Sequence, residues 1–360
     1  MSAAKQERRP AMEHTITIGM DLGDKFNVAV VFDSDGNELE ISKVTNTKVS
    51  MAKFFSKYNG ATVAIEAGTH SPWINRLLNE MGLTVYVGNP RRLRCIWDSK
   101  DKSDARDARM LGMICRMEPR LLYPLQHRGG QAQVDLAVVK SRDALVKSRT
   151  QLINHVRSVV KTNGDRLPKC SADYFAKRCK SEIPPELSSA LGAVFKAIEA
   201  LTEQIHQLGG EITEMSKEKY PETSRLQQIP GVGPITALSF ILHIDDASRF
   251  SKSRQVGAFI GLTPRRDQSG DTDKQLRITK AGSKYLRQLL VSCAQYIIGP
   301  FGPDSDLRRH GMTICARGGK NAKKRAVVAV ARKLAVLLHR LWVTDDTYNP
   351  FHNSLKKKAA

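Results

Sequence analysis

Between Leu187 and Met215 nine apolar residues recur at alternating spacings of four and three: Leu187, Leu191, Val194, Ile198, Leu201, Ile205, Leu208, Ile212 and Met215. Such a seam runs along one side of a helix and must be buried, so any fold of this chain has to supply a long helix with a partner. A helix of ~28 residues spans roughly 42 Å at 1.5 Å per residue. The partner is either a neighbouring helix of the same domain or, in a coiled-coil hairpin, a surface that also serves self-association. A second helical pattern precedes it from Gln131 to about Lys161, with Leu145, Leu152, Val156 and Val159 on a stripe and Asn163-Gly164 as a stop.

The chain opens differently. In "HTITIGMD" Ile16, Ile18 and Met20 fall on one face of a strand, and Thr15, Thr17, Gly19 and Asp21 on the other. "FNVAVVF" and "ELEISKV", joined by the turn "DSDGN", extend it to an antiparallel meander. "ATVAIEAG" is a buried strand ending at Glu66. "SPWINRLLNEMG" is a helix with Ser71 as cap and Pro72 at its first position, and "LTVYVGNP" returns as a strand. "KSDARDARMLGMICRM" then reads as a helix on which Asp104, Asp107, Leu111 and Ile114 share a face.

Each acid has a plain structural explanation: Asp21 as a turn former at a strand end, Glu66 as a surface acid, Asp104 and Asp107 as partners of a helix's positive end. Together they suggest more. Four carboxylates that converge at the end of a sheet can hold two divalent cations and clamp the attacking and leaving oxygens of a phosphoryl transfer. Hard oxygen ligands favour Mg2+ or Mn2+.

Charge narrows the partners. Fifty-seven Lys and Arg against thirty-six Asp and Glu leave a net charge of +21, which favours a polyanion, and nucleic acid above all. No run reaches the ~18 apolar residues of a membrane span, and "MSAAKQERRPAMEH" lacks the apolar stretch of a signal peptide, so a cytoplasmic protein without a membrane partner is expected. The six cysteines, Cys95, Cys115, Cys170, Cys179, Cys293 and Cys315, form no CxxC pair and suggest neither a zinc ribbon nor a disulfide framework. With 41% hydrophobic residues in 360, the chain can build two or three domains.

The last third carries phosphate-binding chemistry. "IPGVGPITALSFILHI" sets Gly231 and Gly233 just before a helix starting near Pro234, like the second half of a helix-hairpin-helix; the alternative is a tight turn. In "TPRRDQSGDTD" Ser269 sits between Arg265 and Arg266 on one side and Gly270 on the other, and reads either as a turn residue or as a nucleophile. Lys274, Arg277, Lys280, Lys284 and Arg287 follow, and then "RGGKNAKKRAVVAVARKLAVLLHRLW" joins a basic cluster to an apolar helix. One after another, they make a nucleic-acid footprint.

"IGMDLG", "AIEAGTH", "KSDARDARML", "IPGVGPITA", "AFIGLTPRRDQSG" and "ITKAGSKYLRQLL" stand in an order that resembles the DEDD recombinases of the insertion sequence 110 family, which includes the Piv-type DNA invertases. The resemblance covers about residues 14 to 345. It implies an α/β plus all-α chain: a flexible tail (1–13), a RuvC-like, RNase H-like domain (14–128), a coiled-coil helical arm (129–220), a mainly helical transposase domain with a helix-hairpin-helix-like motif (221–345) and a basic tail (346–360). Carried over, Asp21, Glu66, Asp104 and Asp107 are the Mg2+-binding catalytic tetrad and Ser269 is the catalytic serine. The resemblance further implies donor and target DNA as substrates, a structured noncoding bridge RNA as guide, and a homo-oligomer, dimeric and on DNA tetrameric. Asp24 departs from the pattern, since relatives often carry a basic residue three positions after the first aspartate.

The expected activity is therefore transposition or recombination through a phosphoserine intermediate. Two other readings stay open on the residues themselves. One is a metal-dependent, structure-specific nuclease of the junction-resolvase kind, in which Ser269 is only a turn residue. The other is a non-catalytic nucleic-acid-binding scaffold.

Overall fold

A computed structural model of the protein describes residues 16–93 and 103–354. The expected tail at 1–13, Cys95 and the last six residues of the expected basic tail lie outside the described residues. The chain divides into two compact units, 1–128 and 129–360.

The first unit is a mixed sheet with helices on both faces, an arrangement that fits a RuvC-like domain. Its elements are β1 (Thr17–Leu22), β2 (Phe26–Phe32), β3 (Glu38–Thr45), α1 (Lys48–Phe55), β4 (Thr62–Glu66), α2 (Ser71–Glu80), β5 (Thr84–Gly88) and α3 (Asp104–Met117). The strand order is β3-β2-β1-β4-β5: the first three pair antiparallel, whereas β4 and β5 run parallel to β1. Alternation sorts the side chains. Ile18, Met20, Val63 and Ile65 are buried with Met51 and Phe55 of α1 and Ile74 and Leu78 of α2, while Ala64 faces Leu111 and Cys115 of α3.

Two local expectations need correction. The reading of the strands passes over α1, an amphipathic helix of about two turns capped by Thr47, whose hydroxyl accepts from the Ser50 amide. The cap of α2 is His70 rather than Ser71, because the fully buried Ser71 hydroxyl turns back to the Gly68 carbonyl at 2.8 Å.

On the other face the helix α3 lies against β1 without spacer side chains. A Cβ on Gly19 would fall inside contact distance of the Ala108 carbonyl and the Gly112 amide, and one on Gly112 would strike the Phe32 ring. The direction of α3 follows from its partners: at its end Arg116 donates to the Asp33 carbonyl (2.5 Å) and the Ser34 carbonyl (3.0 Å), beyond the strand position paired with the start of β1. The start of α3, with Asp104 and Asp107, therefore points to the opposite end, where Asp21 stands one residue before the end of β1.

The second unit is helical apart from one hairpin. It comprises α4 (Gly130–Thr162), α5 (Phe175–Cys179), α6 (Ser188–Glu218), α7 (Thr223–Leu226), α8 (Pro234–Ile244), α9 (Arg254–Phe259), β6 (Pro264–Ser269), β7 (Thr272–Ile278), α10 (Lys284–Ile298), α11 (Asp306–Ala316) and α12 (Ala322–Thr344). The helices α4 and α6 form an antiparallel pair. Ile153, Val156 and Val160 meet Leu191, Phe195 and Ile198 at one end, and Leu136 and Val139 meet Ile212 at the other.

One row of the heptad seam, Leu191, Ile198, Ile205 and Ile212, is at most 1% exposed; the other, Val194, Leu201, Leu208 and Met215, is half-buried. The buried stripe of α4 is centred on Ile153, Val156 and Val160, with Leu145, Leu152 and Val159 at its margin, because Phe195 stacks on Phe175 and displaces the contact line. Leu238 and Leu242 of α8 join the base of this pair to a larger core around α12, in which Val330, Leu334 and Leu338 are wholly buried.

Asp135 fastens the base. Its buried carboxylate accepts from Lys219 Nζ (2.8 Å), Tyr220 Oη (2.6 Å) and Gln131 Nε2 (3.0 Å). Burial works against its charge, but the three hydrogen bonds outweigh it and hold the carboxyl below its ordinary value. A depressed carboxylate stabilises the fold above the usual carboxylate range and loses that contribution as pH falls through the folded-state value. Asp135→Asn should thus lower stability by about 1–2 kcal/mol at neutral pH and shrink the acid limb of a stability-against-pH curve, read by urea unfolding. Gly19→Ala should cost about 2–3 kcal/mol by the same measurement, since α3 has no room to retreat without leaving the sheet.

Candidate active site and nucleic-acid surface

Adjacent parallel strands in register bring the first two acids side by side. Met20 is opposite Ile65, so Asp21 and Glu66 follow at neighbouring strand ends, both on the face that α3 covers. Asp107 in the first turn of α3 is 9% exposed, and Asp104, the first helical residue, is exposed. The Ser103 hydroxyl caps the helix by accepting from the Arg106 amide at 3.3 Å. The backbone thus delivers all four predicted acids to one end of the sheet. Among the described residues no three His, Cys, Asp or Glu side chains are already drawn into a metal-sized cluster. As a donor set, four oxygen ligands at one edge suit a hard divalent cation.

The loop after Asp21 is held by residues that the sequence patterns do not single out. Asn46 donates to the Gly23 carbonyl (2.8 Å), its own amide donates to the Lys25 carbonyl (2.9 Å), and buried Asn27 donates to Asn46 Oδ1 (3.3 Å). His70 contacts Asp24 through Nε2 at 3.5 Å, and Trp73 Nε1 donates to its Nδ1 at 3.4 Å. An indole nitrogen only donates, so Nδ1 is the bare nitrogen and Nε2 carries the proton toward Asp24. The departure at Asp24 therefore comes with a neighbour that accommodates its charge. A signal for His70 existed in "AIEAGTH", but no periodicity marks it.

The other predicted residues lie in the second unit. Ser269 ends β6 and pairs with Thr272 across the two-residue turn Gly270-Asp271, where Gly270 has φ +51°. Glycine at the first turn position is the II′ pattern that matches strand twist. Every residue from 265 to 277 is exposed, so the hairpin presents Ser269 to solvent, and of its side chains only Ile278, at its base, packs partly against the core. Pairing puts Ser269, Thr272, Asp267 and Lys274 on one face. Arg266 is on the other, engaged by Asp273 through Nε and Nη2, both at 2.6 Å. Arg265, Arg277, Lys280 and Lys284 are exposed, whereas Arg287 is structural: it donates to the Ile260 carbonyl at 2.9 Å and to Ala281 and Gly282.

Gly231 has φ +92°, and a Cβ there would meet the Tyr296 ring at 2.6 Å, so the turn requires glycine. Gly233 caps α8 without a side chain, and nothing lies within 4 Å of where its Cβ would be.

Comparison with known proteins follows this division. A family model described as a transposase of the DEDD, IS110 kind matches residues 18–163, from β1 through α4, and one described as the transposase IS116/IS110/IS902 family matches residues 223–308, from α7 into α11. The transposase for insertion sequence element IS1111A of Coxiella burnetii is 28% identical over 357 residues, 95% of this chain and 94% of that one. The transposase for insertion sequence element IS1328 of Yersinia enterocolitica is 29% identical, over 79% of this chain and 84% of its own. A pilin gene-inverting protein of Moraxella bovis is 29% identical over 140 residues, 39% of this chain and 42% of the relative.

The molecule is a DNA transposase/recombinase. It belongs to the IS110 family of DEDD transposases, whose two family models together cover more than half of the chain. Transposases of this type generally depend on a divalent metal. No described helix is long and apolar enough to cross a membrane.

Because no residue from 265 to 277 is buried, Gly270→Val should strain the turn and speed amide exchange across residues 265–277 by roughly an order of magnitude, for a local cost of about 1–2 kcal/mol. The global urea midpoint should stay within error.

Proposed function

We propose that the protein cuts and rejoins DNA with Asp21, Glu66, Asp104 and Asp107 as metal ligands and Ser269 as nucleophile. The observation that carries this reading is the convergence of the four acids on one end of the sheet, by strand register and by the direction of α3. A Mg2+ or Mn2+ held there would neutralise the scissile phosphate and the leaving oxygen. The protein's own part is positional. The Asn46 bridge holds the loop that follows Asp21, and the exposed hairpin presents the Ser269 hydroxyl.

The Ser269 Oγ–P bond forms as the P–O bond to the departing DNA strand breaks, and the hydroxyl proton ends on that strand's leaving oxygen, which departs as a free hydroxyl. Attack by a freed DNA hydroxyl then breaks the phosphoserine and restores a phosphodiester without an outside energy source. Lys274, on Ser269's own face, is the best placed of the basic residues to steady the phosphate. Arg266 must first leave Asp273 to take part. Arg265, Arg277, Lys280, Lys284 and the glycine turn at Gly231 and Gly233 extend the nucleic-acid contact, the turn acting in the manner of a helix-hairpin-helix.

The net charge of +21 supports a structured bridge RNA as a further partner beside donor and target DNA. The half-buried row Val194, Leu201, Leu208 and Met215 supports a homo-oligomer, dimeric and on DNA tetrameric, in which α6 pairs again between copies. In such an assembly Ser269 of one copy completes the acidic site of another.

End-labelled DNA carrying the element's ends tests these points in one assay. The wild-type chain should yield a covalent protein–DNA adduct that EDTA and Asp21→Ala each abolish. Ser269→Ala should give neither adduct nor cleavage; if it still cleaves, water is the nucleophile and the protein is a nuclease. Mixing Asp21→Ala with Ser269→Ala should restore some adduct on the Ser269-bearing copy. One defined RNA should be enriched with the purified chain, and recombination without RNA would remove the guide.

A further inference from the structure

At the base of the β6–β7 hairpin the second unit contains a cleft of about 1320 Å³, walled by α9, β7, α11 and α12. Its floor is apolar and half-buried, made by Ile314, Val328, Val336 and Leu337. Its walls are basic. Spacing of four puts His310 and Ile314 on one face of α11, Arg317 caps its end, and Arg325, Arg332 and Arg340 line it along α12. Arg254 enters from α9 and Arg277 from β7.

Apart from Arg340, these cations are not spent on the protein's own acids. Among the described residues Arg254, Arg277, Arg317, Arg332 and Lys333 have no carboxylate within ion-pair distance. The two lining acids are already engaged: Asp306 accepts from the Asn353 amide at 2.7 Å, and Asp346 accepts from Thr344 at 2.8 Å and faces Arg340 at 3.7 Å. Placement is also built in. A Cβ on Gly257 of α9 would stand 3.1 Å from Arg332 Cγ, so the glycine lets the arginine stem cross α9 and sets its head over the cleft. Partial burial, and after it Lys333 and Arg317, push the His310 pKa down, as a concentrated positive field requires.

We propose that this cleft holds the sugar–phosphate backbone of the DNA whose phosphate Ser269 attacks, an inference that rests on the reading of Ser269 as nucleophile. From Arg325 to Arg340 the lining spans about 22 Å of helix, room for roughly six phosphates of one strand at 3.4 Å per charge, which calls for a polyanion rather than a single anion. Gln275, Leu276 and Arg277 of β7 form part of the wall, and the same strand runs on to Thr272, the partner of Ser269. A strand lying in the cleft therefore continues toward the hydroxyl. Arginine and lysine on phosphate carry no base code, so the contact is independent of sequence.

The test uses full-length Ser269→Ala protein, which removes the chemistry but leaves the cleft. Anisotropy of a short fluorescent DNA duplex of unrelated sequence is followed across salt concentration. Adding Arg317→Gln, Arg332→Gln and Lys333→Gln, all exposed, should weaken binding at least roughly tenfold and flatten the log–log salt dependence by about 2–3, near 0.9 per lost phosphate contact. Arg317→Lys and Arg332→Lys in place of the glutamines should restore most of the slope, which a merely structural role would not do. An unchanged slope overturns the proposal. So does a loss confined to a structured RNA probe with duplex binding intact. Cleavage by Ser269→Ala would sink the nucleophile reading alone, since the binding measurement does not depend on it.

Discussion

The contact between Gly19 of β1 and Gly112 of α3 sets the geometry of the first unit. With no side chain at either position the helix backbone comes to rest on the strand, and its line is fixed by atoms that cannot rotate away. Arg116 then anchors the far end of α3 to the carbonyls of Asp33 and Ser34, leaving only one direction for its acidic start. Carboxylates that repel one another need such a scaffold. Nothing in their own chemistry would gather them, so the energy that holds them at one edge comes from burial of Ile18, Met20, Ile65 and Leu111.

The second unit solves a different problem, that of keeping two helices of more than thirty residues in register. Apolar rows alone would tolerate a slip of one heptad. Polar contacts inside the seam remove that freedom: Asp135 with Lys219 and Tyr220 at the base, and buried Arg149 with Asp173 (2.6 Å) and Thr202 (3.2 Å) midway. Each meets these partners only in one alignment, and misaligning either would bury an unpaired charge. Arg149 in addition holds the Asp173 carboxyl below its ordinary value, so the pair stays charged through the neutral range.

Much of this was legible in the sequence, and the exceptions have physical reasons. Period-two alternation located β1, short apolar runs bounded by turn signals located β2 to β5, and the heptad row Leu191, Ile198, Ile205 and Ile212 located the buried side of α6. The acids could be placed at element ends from the same patterns. Asn46 and His70 could not, since a single polar residue that bridges two loops has no period. The hairpin around Ser269 was legible only as a turn: its strands are exposed on both faces, so they lack the alternation by which strands are recognised. The cleft beneath it was equally hidden, being assembled from arginines that each read as an ordinary surface charge.

The exposure of β6 and β7 separates two kinds of constraint on this chain. Substitutions in α12 or β1 are judged by whether the molecule folds. Substitutions between Arg265 and Arg277 touch no core, and the fold is indifferent to most of them. On the role proposed for Ser269, a drifting lineage loses its chemistry there while every copy still folds and, through the proposed cleft, still holds nucleic acid. Such copies would not be inert debris: by occupying the same DNA they would compete with their active parent and restrain its spread.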